Sequence, residues 1–209
     1  LDLSANGLRD LSGGLFAASP QLQRLDLSGN ALGAGSLDAL EPYTALEHLD
    51  LSRNPLGDLC SSSDTYRSNG VSPLRGLRAL AALALRATGA TGVCRDWRAL
   101  ARLDLRDNAL ADLGYEELAM RGALDVRGNP VRAVRYSRHD YSRALAAPAR
   151  PENDTATVLV DGPLKCDCSV FWFACALRER PQHAPRSLAA LRCAAPPAGP
   201  AEPPGRPPA

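Results

Sequence analysis

One phrase recurs along this chain and limits what it can fold into: Leu-x-x-Leu-x-Leu-x-x-Asn-x-Leu. The fullest copies are Leu22, Leu25, Leu27, Asn30, Leu32; Leu46, Leu49, Leu51, Asn54, Leu56; and Leu100, Leu103, Leu105, Asn108, Leu110. A shortened copy opens the sequence with Leu1, Leu3, Asn6 and Leu8. Two copies are degenerate. Leu80, Leu83 and Leu85 lead to Thr88 in place of Asn, and Leu124, Val126, Asn129 and Val131 follow Arg121 where the first Leu belongs. Leu25 and Leu27 alternate with polar Asp26 and Ser28, the period of a half-buried strand. The chain must turn after each strand, and the turn buries backbone N–H and C=O groups. An Asn amide both donates and accepts, so a column of Asn satisfies them; Thr88 has one donor and no amide, and does only part of this. A single repeat cannot bury its own apolar face, so neighbours must stack.

Spacing fixes the organisation. Successive Asn-type positions lie 24, 24, 34, 20 and 21 residues apart, so the 34-residue step carries an insertion of about ten residues near 61–71. From Asn129 to Gly162 is another long step, which puts a second insertion within 132–156. The repeats thus span 1–161.

These residues resemble the leucine-rich repeat superfamily, in the form found on extracellular receptors, of Toll or adhesion type, and on matrix proteins. Leu15-Phe16 followed by Leu22 is similar to that form's convex-side phrase. The resemblance implies an α/β solenoid: a right-handed coil with a concave parallel sheet, short helical or irregular segments behind it, and a C-terminal cap. Gly162-Pro163-Leu164-Lys165-Cys166-Asp167-Cys168, with Phe171-Trp172 and Cys193-Ala194-Ala195-Pro196, resembles the disulfide-bonded cap of such proteins, which assigns it to 162–195. Its family pairing implies Cys166 with Cys193. Cys168 either pairs with Cys175 or has a partner beyond the sequence. After the cap, residues 196–209 hold seven prolines and cannot pack a core.

The other two cysteines pair by position. Cys60 lies six residues after Asn54 and Cys94 six after Thr88. Equivalent positions in adjacent repeats stack at about 5 Å, which suits a disulfide. Cys60–Cys94 is expected to close the first insertion; two buried thiols are the alternative. A zinc site from Cys166, Cys168, Cys175 and His183 is the metal alternative, set aside because a disulfide cap explains Pro163, Trp172 and Cys193 as well. Disulfides and the sequon at Asn153-Asp154-Thr155 point to the secretory pathway and the cell surface. The sequence has no apolar run of membrane-spanning length and opens inside a repeat, so it reads as part of a larger ectodomain, anchored or secreted.

No catalytic set stands out. An enzyme would need a constellation such as His48, Asp50 and Ser52, whose Asp and Ser already belong to the repeat phrase. No cofactor or metal is expected. The binding surface is the residues facing out between the core leucines. One column reads Arg24, His48, Ala82, Arg102, Ala123; the next Asp2, Asp26, Asp50, Ala84, Asp104, Asp125; the third Ser4, Ser28, Ser52, Arg86, Arg106, Arg127. The switch from Ser to Arg predicts contact of Arg86, Arg102, Arg106 and Arg127 with an acidic or sulfated protein ligand or co-receptor; the competing reading pairs Asp104 and Asp125 with their own Arg neighbours. Arg135, Tyr136, Arg138 and Tyr141, within the second insertion, form a second candidate contact. The net charge of +1 argues against a nucleic-acid partner. The function expected is extracellular protein recognition, with a structural or dimerisation module of a matrix protein as the alternative.

Overall fold

The computed structural model describes residues 1–11, 14, 19–60, 72–147, 156–165 and 171–179. The expected first insertion at 61–71, Leu15-Phe16, Asn153, Cys166, Cys168, His183, Cys193 and the proline-rich tail lie outside the described residues.

Each phrase folds at its Leu-x-Leu centre into a short strand. In chain order these are β1 (Arg24–Asp26), β2 (His48–Asp50), β3 (Ala82–Ala84), β4 (Arg102–Asp104), β5 (Asp112–Leu113), β6 (Ala123–Asp125), β7 (Ala133–Val134) and β8 (Thr157–Leu159). Six of them form one parallel sheet in the order β1-β2-β3-β4-β6-β8, while β5 pairs with β7 alone. Asp2 bridges to Asp26, so the shortened first copy joins the same sheet. The register puts Leu25, Leu49, Leu83, Leu103, Leu124 and Val158 in one row. All six are buried, and Leu27, Leu51, Leu85, Leu105 and Val126 line a second buried row. Each such side chain contributes about 1.5–3 kcal/mol relative to exposure, which is why the stack, and not the single repeat, is the stable unit.

The turns after the strands work as the asparagines require. Asn54 donates to the carbonyls of Leu51 and, one repeat back, Leu27, and accepts from the N–H of Leu32. Asn30, Asn108 and Asn129 bond in the same way. The Thr88 hydroxyl bonds to the Leu85 carbonyl of its own strand and to Oδ1 of Asn108 in the next repeat. Among the described residues its side chain accepts no N–H from the preceding repeat; Leu56 N–H turns to the Asn54 carbonyl, and Gly57 N–H goes to the Thr88 backbone carbonyl. Immediately before each of these positions the backbone is left-handed, with φ between 54° and 74° at residues 5, 29, 53, 87, 107 and 128. Only two of these residues are glycine, so stacking holds Ala, Arg and Asp in a conformation they rarely adopt alone.

Behind the sheet run 3-10 helices at Ala34–Leu40 and Arg95–Ala99 and the single helical turn α1 (Tyr115–Leu118). Glu117 of α1 is buried and accepts from the N–H groups of Val93 and Gly114, which ties two repeats together; burial raises its pKa. Cys60 and Cys94 form the expected disulfide, with Cα atoms 5.1 Å apart. The second insertion is not a plain loop. It holds α2 (Arg138–Ala146), started by a reciprocal Ser137–Asp140 capping box. α3 (Phe171–Glu179) packs on α2 through Tyr141, whose ring lies 5.5 Å from Trp172 and whose hydroxyl donates to Glu179 at 2.6 Å. Cys175 is a free, half-buried thiol on α3. This corrects its inclusion among the disulfide residues.

Candidate functional site: the outward sheet face

The register aligns two of the three expected columns: Arg24, His48, Ala82, Arg102 and Ala123, and Asp26, Asp50, Ala84, Asp104 and Asp125. Ser28 and Ser52, in the first half of the third, are buried. The aspartates have a local duty that their alternation with leucine did not reveal. Asp2, Asp26, Asp50, Asp104 and Asp125 each accept from the backbone N–H two residues on, at 2.8–3.2 Å, and so start the turn. Ala84 cannot do this, and the N–H of Arg86 bonds instead to the hydroxyl of Ser52 in the neighbouring repeat.

Charge is distributed unevenly along the face. In the second half it is self-neutralised. Arg106 makes a forked contact with Asp104 and lies 3.8 Å from Asp125; Arg127 pairs with Asp125 at 2.6 Å; Arg86 pairs with Asp107. The Arg127 guanidinium holds the Asp125 carboxyl below its usual range, and Asp104 raises the pKa of Arg106. Arg102 is exposed and has no ion pair among the described residues. In the first half Asp26 and Asp50 are half-buried and carry no ion pair among the described residues, and Arg24 is likewise unpaired.

Between these halves lies a depression of about 400 Å³. Ala82 and Ala84 form its floor, because one repeat presents methyl groups in two adjacent columns. His48, Asp50, Arg102 and Asp104 stand on either side, with Arg24 and Asp26 beyond. Nδ1 of His48 is buried with no hydrogen-bond partner, while the Asp50 carboxylate caps Ser52. His48, Asp50 and Ser52 therefore form no hydrogen-bonded relay of the catalytic kind.

Of the sequence-predicted contacts in the second insertion, Tyr136 is corrected: it is buried, its ring 5.4 Å from Phe173 and 6.1 Å from Tyr115. Burial pushes its phenol pKa up. Tyr141 is spent on the α2–α3 seam. Arg135 is paired with Asp112 yet remains mostly exposed, and Arg138 is exposed at the start of α2. Arg143, beside them, covers the Tyr115 ring at 3.9 Å and pairs with Glu116, so it fastens α2 to the repeats. The sequence reading passed over Ala82 and Ala84, although two alanines in one repeat where its neighbours carry Arg, His or Asp were the available signal.

Residues 1–56 match the family described as Leucine rich repeat. Among solved structures, the chain is similar to the Toll–Spatzle complex of Drosophila in its glycosylated form, with TM-score 0.57 and 24% identity over 92% of this chain and 25% of that one. A second Toll–Spatzle structure gives TM-score 0.53 and 28% identity, over 83% of this chain and 26% of that one. The TLR13–ssRNA13 complex gives TM-score 0.53 and 22% identity, over 81% of this chain and 26% of that one. The chain thus spans about a quarter of the length of these matched chains. No curated protein sequence matches it. Two of these structures are protein complexes and one is an RNA complex, so the expectation that nucleic acid is excluded gains no support.

Proposed function

Because the chain is a leucine-rich repeat solenoid, we propose that it acts without catalysis, as a protein-recognition module of a cell-surface or secreted ectodomain, and that its ligand seats on the outward sheet face. The observation that carries this reading is the Ala82/Ala84 depression, walled by Asp50 and Arg102, which have no ion pair among the described residues, and by the orphaned Nδ1 of His48. A sheet face whose only task is to close a solenoid has no need of a notch walled by unneutralised charges and a buried nitrogen without a partner. The Cys60–Cys94 disulfide supports an oxidising compartment. Among the described residues no helix is long and apolar enough to cross a membrane.

The contact predicted at Arg86, Arg106 and Arg127 takes second place in this reading. Their partners already neutralise them, and a ligand would have to replace those ion pairs. Arg102 is the member of that set free to engage an acidic group.

The test is a binding screen of the soluble chain against an array of secreted and cell-surface proteins, repeated with Ala82→Trp and Ala84→Arg. Ligands that weaken at least tenfold when the notch is filled support the reading. Ligands indifferent to both substitutions overturn it.

A further inference from the structure

Residues 72–102 hold six arginines and one acidic residue, Asp96, in a chain whose net charge is only +1. Asp96 forms no ion pair with them among the described residues; its two oxygens bond to Ser72, through the N–H at 2.9 Å and the hydroxyl at 2.6 Å. Arg86 pairs with Asp107 and Arg98 with Glu116. Arg75, Arg78, Arg95 and Arg102 are all exposed and have no ion pair among the described residues.

Apart from Arg102, which stands on the sheet face beside the depression, these side chains belong to one flank of two adjacent repeats. Arg75 and Arg95 each stand five residues before the first leucine of their phrase, Leu80 or Leu100; Arg78 and Arg98 each stand two before it. The two segments are fastened together: the indole N–H of buried Trp97 donates to the Ser72 hydroxyl at 2.9 Å. Arg121 extends the row into the next repeat, its backbone N–H bonded to the Arg98 carbonyl at 2.9 Å. Glu41 and Glu116 occupy the equivalent positions at the two ends, so the basic stretch is bounded.

We propose that this flank is a binding site for a sulfated polysaccharide, distinct from the sheet-face depression. Guanidinium groups match the geometry of sulfate with paired N–H donors, and a stack of repeats presents them at regular intervals, as a sulfated chain presents its anions. Among residues 72–102 the sole aromatic residue is Trp97, which is buried and engaged with Ser72, so the flank offers no ring on which bases stack; this disfavours single-stranded nucleic acid. Within residues 72–102 no large apolar or aromatic side chain of the kind that centres a protein interface is exposed.

The test titrates a heparin decasaccharide into the 209-residue chain at physiological salt, beside its fully desulfated counterpart and a mixed-sequence single-stranded RNA. The variant is Arg75→Glu/Arg78→Glu/Arg95→Glu, and the control is Arg9→Glu/Arg53→Glu/Arg132→Glu, which changes net charge equally. Heparin is expected to bind, to weaken at least tenfold in the flank variant, and to stay within twofold in the control; the desulfated sugar is expected not to bind. The corresponding Gln substitutions carry the same reading where the Glu variant does not fold. Absence of heparin binding, equal loss in flank and control variants, or RNA binding tighter than heparin through the same arginines would each overturn the proposal.

Discussion

Replacing both members of the Cys60–Cys94 bridge with alanine isolates the contribution of one covalent bond to a stack otherwise held by leucines. The bridge closes a loop with a sequence separation of 34. In the chain-entropy account, that loop length corresponds to about 12–13 cal/mol/K lost from the unfolded chain, or about 4 kcal/mol at 25 °C. Against total stabilities of about 5–15 kcal/mol this is a large share, and it corresponds to a fall of about 8–16 °C in Tm for a domain of this size. Cys94 is fully buried, so alanine is the substitution of choice; serine would add a buried hydroxyl to the loss. Urea unfolding followed by Trp97 fluorescence reports on the affected repeats, because Trp97 lies three residues from Cys94 in the packed core. Far-UV circular dichroism follows the stack as a whole. A loss under about 1 kcal/mol would refute the reasoning, since it would mean that repeat packing already restricts the unfolded ensemble as much as the bond does.

The other expectations concern the turns, a tight contact and acid behaviour. Asn54→Ala should cost about 3 kcal/mol or more in urea denaturation, because it takes the Asn54 amide from the Leu51 carbonyl and the Leu32 N–H and leaves the Leu27 carbonyl only its bond from Asn30; Asn54→Thr should recover part of this, as Thr88 does, while Asn6→Ala at the exposed first turn should cost under about 1 kcal/mol. Gly122→Ala should lose about 3 kcal/mol, since its Cβ would overlap the carbonyl oxygens of Leu100 and Ala101, while Gly33→Ala, with open space around it, should stay within about 1 kcal/mol of wild type. Asp125 is held below the ordinary carboxylate range by Arg127, so its stabilisation is present above that range and is lost as pH falls through the folded pKa; Asp125→Asn should flatten the acid limb of stability against pH. Glu117 acts in the opposite sense: burial raises it above 4.5, so its contribution is full below that value and declines as pH rises through the folded pKa, a slope that Glu117→Gln should remove.

The fold was legible because its determinants are local and repeated. Leu-x-Leu alternation, the Asn five residues after the phrase's second leucine, and the equal offset of Cys60 and Cys94 from their turn residues each specify a position in the repeat. A solenoid contacts mainly its neighbours, so spacing along the sequence translates directly into stacking in space. Arg106 and Arg127 show where that translation stops. Their columns were placed correctly, but whether each guanidinium meets a ligand or the aspartate beside it depends on rotamers and distances of a few ångströms. Tyr136 shows the same limit from the other side. A tyrosine among arginines reads as a contact residue, yet here it is buried between Tyr115 of one repeat and Phe173 of α3.

The sequence by itself therefore determined the parallel sheet, the asparagine column and the disulfide between neighbouring repeats, because periodicity encodes each of them. The tertiary structure alone decided which charges are free. It neutralised the second half of the outward face, opened a notch over Ala82 and Ala84, and left arginines of the flank without ion pairs among the described residues, because ion pairing depends on groups that only packing brings together.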